Sequence, residues 1–242
     1  MKLKKKDILG VLFIASLTLC ILAAIIFIIA FNSRPLQTSA VLTEFKRPVV
    51  ILDAGHGGAD GGAVSLNNVP EAQINLKITL KTRDIMSFIG IPSVLTRSDE
   101  SSLDFDSDRT LRENKIADIK ARLKTAQEMH FCDFLSIHLN KFSQSKYYGA
   151  QVFYGCKNIK SETLAETIQS ALREYLDENN DRQAKKAPET VFLMKNIESP
   201  AVTVECGFLS NPDEEAKLIS DGYQTQIAIA IMKGYAEYLK SS

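Results

Sequence analysis

Three side chains suited to chemistry stand where apolar runs stop: His56, His138 and Glu205. His56 follows Val49, Val50, Ile51, Leu52 and Asp53, a β-branched run of the kind buried on both faces of a sheet, in a glycine loop with no other bulky side chain. His138 closes the run Phe134 to His138, Glu205 closes Ala201 to Glu205, and Glu71 opens the helix after the glycine loop. A histidine between glycines serves as a metal ligand, a phosphate cradle or simply a turn. Taken singly, Glu71 reads as a helix-dipole acid, His138 as a satisfied core histidine and Glu205 as a salt-bridge partner. Their joint placement points elsewhere. In open α/β sheets the binding crevice lies beyond the carboxyl ends of the strands, so all four can converge on one rim. Two imidazoles and one carboxylate, with a fourth tetrahedral position left for water, are the ligand set of a catalytic Zn²⁺, and a second carboxylate that does not ligate would accept the water's proton. A carboxylate buried at the end of AVTVE is costly without such a partner. His130, at a helix end, has no such setting and reads as a surface residue.

The elements that must position these groups alternate. Strands are expected at Val49 to Asp53, Ser93 to Thr96, Phe134 to His138, Tyr148 to Tyr154, Val191 to Met194 and Ala201 to Glu205. Helical spacing marks Ile74, Ile78, Ile85 and Ile89, with Pro70 at a first helical position and Gly90 just past the end. A second stripe is Ile116, Ile119, Leu123 and Ala126, a third Leu164, Ile168, Leu172 and Leu176, and the last Ile227, Ile231, Tyr235 and Leu239. Asn211-Pro212-Asp213-Glu214 has the cap, first-turn proline and capping-box acid of a helix start, and Glu178 to Pro188 is a charged loop. The pattern predicts an α/β fold with a mostly parallel central sheet and helices on both faces, in one domain.

Ahead of that domain, Lys2, Lys4, Lys5 and Lys6 precede an uncharged apolar run from Ile8 to Phe31, long enough to cross a hydrocarbon core of about 30 Å as a helix. The run exceeds the roughly 7 to 15 residues of a cleaved signal, so an uncleaved anchor is expected, although Thr38-Ser39-Ala40 leaves secretion after cleavage open. The lysines put the N-terminus in the cytoplasm and the rest on the extracytoplasmic side. Residues 1–44 then hold the lysines, anchor and linker, and residues 45–242 the catalytic domain. Lysine and arginine total 29, aspartate and glutamate 29; five of the bases and only Asp7 of the acids precede residue 35, which leaves the remainder at −4. A mildly acidic domain without basic stripes gives nucleic acid no footing. Cys132, Cys156 and Cys206 are odd in number and lack C-x-x-C spacing, so they are expected as buried free thiols.

The segments Asp53–Gly58 (DAGHGG), Glu71 within PEAQINL, Ser136–Asn140 (SIHLN) and Val204–Asn211 (VECGFLSN) resemble, in order, the motifs of zinc-dependent N-acetylmuramoyl-L-alanine amidases. The resemblance implies zinc on His56, Glu71 and His138, Glu205 as the catalytic carboxylate, and hydrolysis of the amide between the lactyl group of N-acetylmuramic acid and L-alanine in peptidoglycan. Zinc would lower the pKa of a water to about 7, and Glu205 would take its proton and hand it to the leaving amine. Asn140 either binds substrate or fixes its loop. Length and N-terminal run are similar to those of the short amidases that modify spore cortex. A zinc carboxypeptidase or endopeptidase acting on stem peptides would share the ligand set, and a wall-binding module without catalysis would share the fold, against which the intact Glu205 argues. No spare helical segment interrupts the motifs, so an open pocket is expected. Restraint then falls to expression timing or to an accessory protein that supports zinc or substrate binding.

Overall fold

A computed structural model describes residues 47–241; the apolar run Ile8 to Phe31 and the boundary near residue 45 lie outside the described residues. Three runs with apolar residues on both sides of the chain become adjacent strands: β1 (Val49–Ala54), β3 (Cys132–Asn140) and β6 (Ala201–Phe208). Short β2 (Ser93–Leu95) pairs parallel to β1 on the outer side, and β4 (Gln151–Tyr154) and β5 (Lys185–Lys186) complete the order β2-β1-β3-β6-β4-β5. Pairing is parallel from β2 to β6, while β4 runs antiparallel to β6 and carries β5 with it.

Register places equivalent side chains of β1, β3 and β6 side by side. Ile51, Phe134 and Ala201 form one row and Asp53, Ser136 and Thr203 the next, followed by His138 beside Glu205. That face changes from apolar to polar to reactive along the strands. Its opposite is apolar except for Asp133 in the row of Val50: Val50, Leu52, Leu135, Ile137, Val202 and Val204 pack under helices α1 (Glu71–Phe88), α3 (Lys160–Leu176) and α6 (Asp221–Ser241). The polar face carries α2 (Leu111–Glu128) and α4 (Phe192–Asn196), and α5 (Pro212–Leu218) follows β6. Among the described residues no helix is long and apolar enough to cross a membrane.

Several expectations change. Residues 192–196 are the helix α4 instead of a strand, because β6 already takes β3 and β4 as neighbours and leaves this segment to cover the polar face. Lys185 and Lys186, expected as loop, form the edge strand. Pro70 is the N-cap of α1 and not its first residue. Asn211 caps α5 by accepting from the amides of Asp213 and Glu214, but the Glu214 carboxylate, instead of closing a capping box, accepts from Gly149 N (2.9 Å) and Phe208 N (2.8 Å). Cys132 and Cys206 are buried free thiols, whereas Cys156 is exposed. In α2 the buried side chains are Asn114, Asp118, Arg122 and Ala126, and Ile116 stands in solvent. This helix turns its polar side inward because the sheet beneath it offers Asp53 and the backbone carbonyls of the glycine loop.

Candidate metal centre

The glycine loop leaves β1 with His56 at φ 62°, a left-handed conformation uncommon outside glycine. Two buried arginines hold this turn. Arg122 donates to Asp53, to Ala54 O (2.8 Å) and to His56 O (2.7 Å). Arg97 donates to Ala54 O (2.9 Å), Gly55 O (3.1 Å) and Ala72 O (2.8 Å), tying the loop to the first turn of α1. Two glycines make room for the rings: a Cβ on Gly55 would lie 2.2 Å from His138 Nε2, and one on Gly62 would lie 2.7 Å from both Glu71 Oε2 and His56 Cδ2.

In this frame His56, Glu71 and His138 meet. Glu71 Oε1 lies 3.4 Å from His56 Nε2 and 3.1 Å from His138 Nδ1, and one ligand atom from each residue falls within 4.8 Å of the others. His56 Nδ1 is engaged by Asp60 Oδ2 at 2.9 Å, which orients the ring so that Nε2 faces the cluster. Asp60 in turn pairs with Lys115 at 3.0 Å. Glu71 accepts from Ala63 N (2.9 Å), Leu139 N (3.1 Å) and Asn75 Nδ2 (3.2 Å). Burial works against charge on His56, but hydrogen bonds to Asp60 and Glu71 outweigh it and push its pKa up to about 9. Burial would likewise raise Glu71, yet the two histidines hold it far below the usual carboxylate range. One carboxylate between two imidazoles, with Asp60 holding the far side of His56, is a donor set that fits a divalent cation.

Glu205 sits beside His138 in register on β6. Its Oε2 is shielded and has no hydrogen-bond partner among the described residues, and burial, with Glu71 adding to it, raises its pKa despite the nearby His138 and His56. One extra residue in β6 between the partners of His138 and Asn140 forms a bulge directly after Glu205, with Gly207 at φ 151°. Asn140 has its carbonyl bound to Leu209 N (2.8 Å), and the residue lines the cleft. The cleft encloses about 540 Å³, with Ser136, Thr203 and Glu205 at its floor, Asp60, Lys115 and Asp118 on one side and Val191, Phe192 and Leu193 on the other. It is open: the His56 and His138 side chains keep 23% and 24% of their exposure. His130 is exposed, as expected.

The sequence reading passed over Asp60, Arg97 and Arg122. The one signal available for Arg122 was polar spacing, since Asn114, Asp118 and Arg122 recur every four residues on one side of α2.

A mostly parallel α/β sheet with a nitrogen and oxygen donor cluster at its strand ends, a separate shielded carboxylate and an open cleft define a hydrolase. The chain belongs to the N-acetylmuramoyl-L-alanine amidase family, whose pattern matches residues 50–237. It is 35% identical over 190 residues to the germination-specific N-acetylmuramoyl-L-alanine amidase of Bacillus subtilis, a match covering 78% of this chain and 79% of that one. Among solved structures it resembles the CwlD amidase from Clostridioides difficile in complex with the GerS lipoprotein, at 40% identity and a TM-score of 0.78, over 81% of this chain and 100% of that one. The catalytic domain of the amidase CwlV from Bacillus (Paenibacillus) polymyxa is 29% identical with a TM-score of 0.66, over 81% and 99%. The chain is accordingly an enzyme that cleaves the amide between the lactyl group of N-acetylmuramic acid and L-alanine in peptidoglycan, and the peptidase and wall-binding alternatives fall away.

Proposed function

We propose that this amidase works with zinc held by His56, Glu71 and His138, with Glu205 as the catalytic carboxylate, and that its substrate is spore-cortex peptidoglycan. The observation that carries the reading is the meeting of three donor groups on one side of a carboxylate whose outer oxygen has no partner. A bound Zn²⁺ would polarise the lactyl carbonyl and lower the pKa of a water to about 7. Glu205, its pKa raised by burial, takes the proton of the attacking water and delivers it to the nitrogen of the departing L-alanine, so that one proton is carried across and none is lost. Asp60 keeps His56 in the tautomer that presents Nε2. Asn140, lining the cleft on the same edge of β3 as His138, contacts substrate.

The cortex assignment is supported by the likeness to the germination-specific enzyme of Bacillus subtilis. The run Ile8 to Phe31 anchors the protein, residues 1–44 precede a catalytic domain of residues 45–242, and the domain acts outside the cytoplasmic membrane, where peptidoglycan lies. An accessory protein supporting zinc or substrate binding is in keeping with the open cleft and with the lipoprotein complex of the Clostridioides difficile relative. The test is metal content and turnover on purified cortex fragments for His56→Ala and His138→Ala. Both variants should lose zinc and activity together; retention of stoichiometric zinc by either would remove that residue from the ligand set.

A further inference from the structure

The end of the domain opposite the cleft exposes four large apolar side chains. Phe88 and Ile159 are each 91% accessible, more than any other large hydrophobic residue described, and Ile89 and Phe131 are also exposed. Hydrogen bonds locate them. Phe88 and Ile89 end α1 just before Pro92, whose carbonyl accepts from Val50 N at 2.9 Å, and the carbonyl of Phe131 accepts from Val49 N at 3.1 Å. Ile159 caps α3 two residues before Ser161, whose hydroxyl accepts from Ala201 N at 3.0 Å. Val49, Val50 and Ala201 begin parallel strands, while His56, His138 and Glu205 lie toward their other ends. The four residues therefore edge the N-terminal side of β2, β1, β3 and β6, a front on the order of 15 Å wide at the usual strand spacing.

Scattered exposed apolar residues are ordinary, but the two most exposed in one row with two more mark a contact surface. The chain enters at this same edge, since Arg47 and Pro48 lead into β1. Before it come the apolar run Ile8 to Phe31 and then Asn32 to Lys46, which even fully extended spans only about 50 Å. Such a tether limits distance and leaves orientation free. Exposed charges of both signs stand among the apolar groups: Lys157 and Lys160 flank Ile159, Arg47 leads into the strand beside Phe131, and Asp84, Glu128, Glu162 and Glu198 are acids near them. Large apolar side chains rimmed by exposed charged groups, long lysines among them, suit the headgroup layer of a bilayer.

We propose that this edge rests on the lipid bilayer, with Phe88, Ile89, Phe131 and Ile159 in the headgroup region, so that the cleft is turned away from the membrane and toward the wall. The inference rests on the anchor reading above. Because the chain contains no tryptophan, single-tryptophan full-length variants report on it directly. F88W and I159W, with F142W at the cleft end as reference, are reconstituted into phosphatidylcholine/phosphatidylglycerol vesicles with and without brominated acyl chains, after flotation confirms attachment. Blue-shifted emission and bromine quenching several-fold stronger at Trp-substituted 88 and 159 than at 142 support the proposal, and unchanged hydrolysis of soluble muropeptides certifies the fold of each variant. Blue-shifted emission without bromine quenching would show that protein, a second copy or the linker, covers the edge, and would overturn it. Water-like emission at both positions on floated protein would overturn it while leaving the anchor standing; failure to float would overturn both.

Discussion

Helices α2 and α3 have 18 and 17 residues and lie on opposite faces of one sheet, yet they are buried by opposite means. Helix α3 inserts Leu164, Ile168 and Leu172 into the apolar core, each fully buried. Helix α2 inserts Asn114, Asp118 and Arg122, and apart from Ala126 and Leu123 at its end it is held by hydrogen bonds and charge. Two buried aspartates repeat the contrast. On the polar face Asp53 is met by Arg122, Ser136 and Thr96, which overcome the effect of burial and hold its carboxyl low. On the apolar face Asp133 has Tyr235 and Tyr238 as hydrogen-bond partners; burial dominates, and its pKa is raised to about 6. One face is a core and the other is the foundation of a site.

Removing the charge that joins α2 to the loop should have the largest effect on stability. Arg122→Met leaves Asp53 and Asp118 buried without their cation, and a loss of about 4 kcal/mol is expected in denaturant unfolding. A loss below about 1 kcal/mol would mean that the two faces are not held differently. Next comes Ile168→Ala on the apolar face, with an expected cost of about 3 kcal/mol by the same measurement and no change in zinc affinity. Asp133 sharpens the contrast through pH. Its folded pKa lies above the unfolded value of 3.8, so its favourable contribution is complete below about pH 4 and fades as pH rises through about 6, by at most about 3 kcal/mol. Unfolding free energies of the parent and Asp133→Asn, measured from pH 4 to 8, should diverge in that window; parallel curves would remove Asp133 as the source. The smallest effect belongs to Ile116→Ala, which lies on the stripe expected to be buried and is exposed instead: a change within about 0.5 kcal/mol.

The same contrast explains what could be read from sequence. Helix α3, the last helix and strands β1, β3 and β6 were legible because apolar burial leaves a period in the chain, and Leu164, Ile168 and Leu172 or Ile227, Ile231 and Tyr235 display it. The convergence of His56, Glu71 and His138 was legible because strands of one direction bring their ends to one rim. Asp60, Arg97 and Arg122 were not, since an arginine facing a carbonyl three strands' worth of chain away has the same local sequence as one facing water. Helix α2 offered Ile116, Ile119, Leu123 and Ala126 as a stripe, of which Ala126 is buried, Ile119 and Leu123 are half-buried and Ile116 is exposed, because the partners supplied by Asp53 and the glycine loop rotate Asp118 and Arg122 inward. The exposed Cys156 departs from expectation for a related reason: it lies past the last strand pairing at the sheet's end, where Met194 O meets it but leaves the residue open to solvent.

The proposed site divides labour between the three gathered donors and Glu205 beside them, whose Oε2 has no hydrogen-bond partner. Glu205→Gln keeps the side chain's shape and removes its basicity, so zinc stoichiometry and turnover of muropeptide, measured on the same sample, test that division most directly. Zinc should be retained at the parent level with turnover reduced by about 10²-fold or more. Near-normal hydrolysis with zinc in place, or loss of zinc equal to that of the histidine variants, would contradict it.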